Sequence, residues 1–320
     1  MSNLFKKLFF QGDTWKIAYR KTDSNLFDDK TTPFNILEIP KGFWGADPFL
    51  IRKDEKYFVI FELTNFKKRK SLLGSKELFS SSKNINIIYE FPYHSSYPCI
   101  FNKGSELYII PETIQNKDVV LLKCIKWPNE WKKEKILLTD SDLVDSTIRN
   151  EGENLFLLTY NLVDFKTQVF KFDSNFNIVG NPVKTIKSDE NIFRPAGNFI
   201  ELSNDEYIRP VQPSNKFYGE KVVFLKGDKN WDEKAFCSID IHDIKLNEKK
   251  KKKYIGIHTY NKLDSIEVID IAEMSFRPFK IFEFLFRKLN LFGYSLYDKK
   301  QKCIQNELDP KQFNKTTTKH

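Results

Sequence analysis

The chain has 320 residues, 40% hydrophobic and 30% charged, with a formal net charge of +9. That is enough apolar material for a sizeable core, which excludes a disordered chain, and no run of about 18 uncharged apolar residues occurs, which excludes a spanning helix. The modest basic excess favours an anionic partner, and the 30 Phe, 13 Tyr and 5 Trp favour strands.

In chain order, residues 1–13 come first, with Leu4-Phe-Lys-Lys-Leu-Phe-Phe10 mixing bulky apolar and basic residues. They lack the long apolar stretch and small-residue cleavage site of a signal peptide. A strand-like run, Thr14-Trp-Lys-Ile-Ala-Tyr19, follows. Then a repeat begins. Asp47–Glu62 slides 50 positions onto Tyr97–Glu112, a further 48 onto Asp145–Tyr160, and 50 more onto a copy beginning at Pro195. A degenerate fifth copy lies at Ile255–Tyr260 and Ser265–Asp270. Each copy is two short apolar runs around a polar tip such as Lys53-Asp-Glu-Lys56 or Lys103-Gly-Ser-Glu106, the signature of a β-hairpin. Further strand-like runs stand between copies, at Ile85–Tyr89, Val119–Ile125, Thr167–Phe172 and Lys221–Leu225.

About four strands per repeat is the blade of a β-propeller. The expected fold is therefore all-β: a five-bladed propeller over residues 14–272, closed by the Thr14–Tyr19 run. A short helical amphipathic extension is expected at 273–297, where Phe and Leu alternate with Arg277, Lys280, Arg287 and Lys288. It has the makings of an interfacial membrane segment or of a flap packed on the propeller. Lys249–Lys253 reads as a solvated loop or a contact to anionic lipid. A polar tail, 298–320, closes the chain.

A propeller gathers the innermost strands of its blades around one axis, so repeat-equivalent residues share a mouth. Those points are Asp47, Tyr97, Asp145, Arg194-Pro195 and His258, with Glu62, Glu112, Tyr160 and Gln212 at the ends of the next strands. Asp and Pro singly are turn formers, but Arg, His, Tyr and two Asp together are a candidate site. Two carboxylates across a mouth suit glycosyl chemistry, which develops positive charge at the sugar carbon. Arg194, Arg209 and His258 suit a phosphate leaving group. Trp44, Tyr97, Gln212 and Tyr218 complete the expected substrate-binding set. Asp140-Ser-Asp142 has the DxD form of metal-dependent glycosyltransferases but no preceding βαβ pattern, and it reads as chance. No nucleotide loop, HExxH or catalytic Ser-His-Asp pattern occurs, so neither metal nor cofactor is expected. The aromatics follow strand periodicity, which argues against nucleic acid. Cys99, Cys124, Cys237 and Cys303 form no CxxC and no metal-ligand spacing, and read as free thiols of a reducing compartment.

The ordered set Trp44-Gly-Ala-Asp-Pro-Phe49, Ser96-Tyr-Pro98, Ile110-Pro-Glu-Thr113, Val144-Asp-Ser-Thr147, Phe193-Arg-Pro-Ala-Gly197 and Gly256-Ile-His-Thr259 resembles the propeller domain at the N-terminus of glucosamine inositolphosphorylceramide transferases and in bacterial polysaccharide-biosynthesis proteins. That domain is related to the five-bladed propellers of family 43 and 32 glycoside hydrolases. The resemblance implies that Asp47 is the base or nucleophile and that Asp145 supports it. The position of the hydrolase acid reads Arg194-Pro-Ala-Gly197, which weighs against hydrolysis and leaves Glu112 as the substitute acid. The expectation is a membrane-peripheral, cytoplasmic, glycosyltransferase-like protein that takes a phosphate-activated sugar donor and a glycan or lipid-linked acceptor. Asp47, Asp145, Glu112 and His258 would be its catalytic residues. Because the plant members carry a separate transferase domain, a non-catalytic carbohydrate-binding propeller assisting a partner stays open, as does a glycoside hydrolase.

Overall fold

The computed structural model describes residues 10–276 except 26, 66–69, 153, 188–193, 204, 214–217 and 249–251. Strands β1 (Phe10–Lys21) and β2 (Asn35–Ile36) open it. Blade one is β3 (Phe43–Lys53), β4 (Lys56–Asn65), β5 (Ser71–Glu77) and β6 (Asn86–Tyr89). Blade two is β7 (Ser96–Lys103), β8 (Glu106–Thr113), β9 (Asp118–Lys126) and β10 (Glu130–Leu138). Blade three is β11 (Leu143–Glu151), β12 (Asn154–Asn161), β13 (Lys166–Phe172) and β14 (Lys184–Lys187). Blade four is β15 (Arg194–Pro195), β16 (Ile200–Glu201), β17 (Glu206–Gln212), β18 (Lys221–Asp228) and β19 (Glu233–Asp240). The last blade joins β20 (Tyr254–Leu263) and β21 (Ile266–Phe276) to β1 and β2 from the other end of the chain.

The five sheets are antiparallel, and each β-hairpin expected from the repeat is present. Burial follows position in the blade. The second strand lies between neighbouring blades, so β4 is continuously buried from Phe58 to Thr64, whereas the outer strand β19 is mostly solvated. Apolar clusters fill the gaps between blades. The largest joins Phe49, Ile60 and Leu73 of blade one to Ile109, Leu121 and Trp131 of blade two and Leu157 of blade three.

Closure comes from β1, which pairs with β21 from Phe10↔Phe276 to Lys21↔Ile266. This is the strand expected from Thr14–Tyr19, with Gln11 and Phe10 extending it. Residues 10–13 and 273–276, assigned from sequence to the terminal amphipathic segments, are instead strand, because the β1–β21 ladder continues through them. The remainder of both segments lies outside the described residues, as do Lys249–Lys251 and Cys303. No helix among the described residues is long and apolar enough to cross a membrane.

Candidate functional site

The innermost strands share one irregularity. In β3, β7, β11 and β20 two residues oppose one on the next strand, at Asp47-Pro48, Tyr97-Pro98, Asp145-Ser146 and His258-Thr259. These are β-bulges at the same repeat position, and a bulge re-aims a side chain that a regular strand would send into the sheet. Asp47, Tyr97 and Asp145 adopt positive φ of 51°, 47° and 52° there, a conformation that Asp tolerates better than most residues. The same geometry explains two prolines inside inner strands, since a bulged residue has no ladder N–H to donate. Blade four breaks its inner strand instead. Gly197 has φ 140°, and a Cβ on it would stand 1.9 Å from the Tyr260 carbonyl oxygen, so only glycine lets blades four and five approach this closely.

The bulges converge. His258 Nε2 lies 2.9 Å from Asp47 Oδ1, and its Nδ1 lies 2.9 Å from Asp270 Oδ1. At Nδ1 the contact is one of charge, outside hydrogen-bond alignment. Asp270 accepts N–H bonds from Asp47 at 2.8 Å and Thr259 at 2.9 Å. Tyr97 N donates to Asp47 Oδ2 at 3.1 Å, so blades one, two and five meet on one carboxylate. Burial alone would push the His258 imidazole down; Asp270 and Asp47 outweigh it and raise it to about 10. That direction favours the imidazolium form of the ring between the two carboxylates. Asp47, His258 and Asp270 could also hold a metal ion, since their donor atoms lie within 4.8 Å of one another; such an ion would take the place of the imidazolium proton.

The sign of that shift predicts a pH dependence. Because the folded value exceeds the ordinary 6.5, the stabilisation from His258 is complete below about 6.5 and is lost as pH rises through about 10. Titrating the His258 ring carbons by NMR should give a midpoint well above 8, and one near 6.5 would mean that the carboxylates do not hold it.

On the other side of the mouth, Arg194 Nε donates to Asp145 Oδ2 at 2.6 Å, and its NH2 lies 3.8 Å from Glu112 Oε2. Burial raises Asp145, Arg194 opposes it, and Glu112 and then Asp47 push further up, to about 7. The Arg194 guanidinium stands 5.8 Å from the Tyr218 ring centre, and Tyr218 lies 5.0 Å from the His258 ring. Trp15 packs against His258 with ring centres 4.1 Å apart and planes tilted by 56°, and Trp44 packs in the same aromatic group.

Of the residues expected from sequence, Asp47, Asp145, Glu112, His258, Tyr97, Arg194, Tyr218 and Trp44 are brought together. Tyr97 is fully buried, with its hydroxyl accepting from Gly197 N at 2.7 Å and 2.9 Å from Thr147 Oγ1, so it stitches blades rather than facing a substrate. Gln212 Nε2 donates to the Pro195 carbonyl at 3.0 Å. Arg209 is elsewhere: on β17 it forms a two-pronged pair with Glu233 on β19, with Nε–Oε1 2.8 Å and NH2–Oε2 2.5 Å. The three cations expected to grip phosphate therefore each already oppose a carboxylate. Asp142 of the DxD sequence pairs with Lys117 at 3.3 Å. Sequence reading missed Asp270 and Trp15. The available signal for Asp270 was a lone carboxylate at the deepest point of an otherwise apolar strand stretch, Val268-Ile-Asp-Ile-Ala272.

Comparison with known proteins agrees with this architecture. Residues 36–272 match the family described as glucosamine inositolphosphorylceramide transferase 1, N-terminal. Glucosamine inositolphosphorylceramide transferase 1 of Oryza sativa subsp. japonica is 26% identical over 197 residues, 58% of this chain and 26% of that protein. The Arabidopsis thaliana protein of the same name is 29% identical over 146 residues, 44% of this chain and 18% of that protein. This chain thus spans about a quarter of the length of the curated relatives it matches. Among solved structures, the catalytic domain of a Coprinopsis cinerea GH62 α-L-arabinofuranosidase superposes with a TM-score of 0.52 at 10% identity, over 72% of this chain and 90% of that one. At that identity the likeness is one of fold.

Proposed function

The chain belongs to the family of the N-terminal domain of glucosamine inositolphosphorylceramide transferase 1, and from that premise we propose that its axial mouth handles a glycosyl unit during sugar transfer in glycolipid or surface-polysaccharide assembly. One observation carries the reading: two bulged carboxylates from different blades stand at one mouth in opposite electrostatic settings. Asp47 is paired with the His258 ring, whereas burial pushes Asp145 up to about 7 against the pull of Arg194, the setting of a carboxyl able to carry a proton. An anion that can face a developing oxocarbenium and a neighbour that can deliver a proton are what glycosyl departure requires. Half-buried Trp44 and Tyr218 beside them offer faces for a sugar ring.

Arg194 stands where the hydrolase relatives' acid is expected, and it holds Asp145. Proton delivery therefore falls to Asp145 in this proposal, with Glu112 beside it. The donor would be a phosphate-activated sugar and the acceptor a glycan or lipid-linked glycan. The free thiols Cys99, Cys124 and Cys237 fit a cytoplasmic setting. The test is turnover: the purified chain, given a panel of nucleotide sugars and a glycosylated inositol-phosphate acceptor, should release nucleotide and extend the acceptor. Release of free reducing sugar would make it a hydrolase.

A second reading is favoured by which part of the relatives is matched: the family is that of an N-terminal domain, which suits a propeller that binds glycan and presents it to a separate catalytic unit. Saturable glycan binding with no turnover of any donor would select it.

A further inference from the structure

Strand direction decides which end of the propeller each turn occupies. The bulges lie near the start of each inner strand, so the turns joining second to third strands ring the mouth. In blades one to four a lysine stands at or just before the start of the third strand: Lys70, Lys117, Lys166 and Lys221. Lys187 pairs across from Lys166 in the β13–β14 ladder, and Lys253 precedes β20 at the same end. Lys70 faces Glu90 and Lys117 faces Asp142; Lys166, Lys187, Lys221 and Lys253 face no carboxylate among the described residues.

The same end carries an apolar point. The turn from β12 to β13 is fixed by Asn161, whose side-chain oxygen accepts from Val163 N and Asp164 N at 2.9 Å each. This holds Val163 and Phe165 in solvent, 64% and 47% exposed. Phe165 has φ 54°, an outlier for a bulky residue. Exposed Phe79 and Phe236, by contrast, lie against the rings of Tyr19 and Phe27.

Finally, the blade that closes the ring has its second-to-third turn open, because β21 and β1 belong to opposite ends of the described chain. Phe276 stands six residues beyond Asp270, whereas Thr113 and Asn161 end their strands two residues beyond the equivalent Pro111 and Thr159. β21 thus runs further past the level of the bulges than the second strands of blades two and three. The sequence continues from the tip of the β1–β21 ladder into Leu4-Phe-Lys-Lys-Leu-Phe on one side and Arg277–Phe292, rich in Phe, Leu, Lys and Arg, on the other.

We propose that the mouth face is a docking surface for an anionic lipid bilayer, so that the candidate site opens onto lipid headgroups. Lysines around the rim match a negative surface, each strengthening binding about fivefold, and Val163 and Phe165 enter the interfacial region. The proposal does not depend on the transfer reading, since lipid binding is measured without turnover.

The test is co-sedimentation of the full chain with phosphatidylcholine vesicles, with and without 30% phosphatidylserine. Binding should require phosphatidylserine and weaken with salt. Lys166→Gln, Lys187→Gln and Lys221→Gln together should weaken it roughly 100-fold. Lys53→Gln with Lys56→Gln, at the opposite end, should leave it unchanged. With brominated lipid, a Val163→Trp variant should gain quenchable fluorescence and a Leu202→Trp variant should not. Absent binding, equal binding to neutral vesicles, insensitivity to the triple substitution, or quenching from position 202 would each overturn the orientation.

Discussion

Glu267→Ala should lower the unfolding free energy by about 3–5 kcal/mol, the usual cost of stranding a buried charge. Glu267 lies in the closing blade, where its Oε2 meets Arg20 Nε at 2.6 Å with both side chains essentially out of solvent. Arg20 is held further by the carbonyls of Thr32 at 2.8 Å and Asp29 at 2.9 Å and stacks over Phe34 at 4.6 Å. Tyr260 donates to the other Glu267 oxygen. Removing the carboxylate leaves a buried guanidinium on the strand that closes the ring, with only the more exposed Asp29 carboxylate, 3.7 Å from NH1, to oppose it among the described residues. Joint replacement by apolar residues of similar size, Arg20→Met with Glu267→Leu, should recover most of the loss, because it removes both charges. Denaturant titration reads both effects. A single-mutant loss below about 1 kcal/mol would mean that the closing strand is held by its ladder and apolar contacts alone.

The repeat made most of this legible. An offset near 50 residues placed Asp47, Tyr97, Asp145 and His258 at one structural position, and that position is the inner-strand bulge. The bulge itself had no sequence signal beyond Asp-Pro and Tyr-Pro, which read equally as turns. Residues whose role comes from ring closure were hidden. Asp270 has no counterpart in other repeats, where Phe61, Pro111 and Thr159 oppose the bulge, and its partner Asp47 is 223 residues away. Arg194 and Arg209 looked equivalent as cations near one strand pair. Register separates them: Arg194 stands opposite Gln212 at the mouth, while Arg209 is three residues further down β17 and finds Glu233 on β19. Tyr97 shows the opposite limit, a residue correctly placed whose hydroxyl is spent on Thr147 and Gly197.

On the transfer proposal, Asp47→Asn should lower turnover by at least about 100-fold while leaving the fold standing, because the amide keeps the shape and Asp270 still opposes His258, but the amide cannot offer an anion to the sugar carbon. Asp145→Asn should act differently. With Asp145 raised to about 7, its proton is present at the acidic side and leaves as pH rises, so wild-type turnover should fall through pH 7. The asparagine variant should lose that limb together with about 100-fold or more in rate. Its stability should move in the opposite sense: a carboxyl raised above its ordinary 3.8 costs the fold increasingly from there up to about 7, a cost that Asp145→Asn removes. The variant also loses the charge opposing Arg194, which keeps Glu112 at 3.8 Å, so the net change should be small. Rate and stability thus separate a proton donor from a structural carboxylate. A flat wild-type pH profile between 6 and 8, with Asp145→Asn turning over at the wild-type rate, would leave Asp145 as the anchor of Arg194 alone. Glycan affinity lowered only a few-fold in both variants, with no turnover in any, would identify the mouth as a binding site whose carboxylates hold sugar hydroxyls.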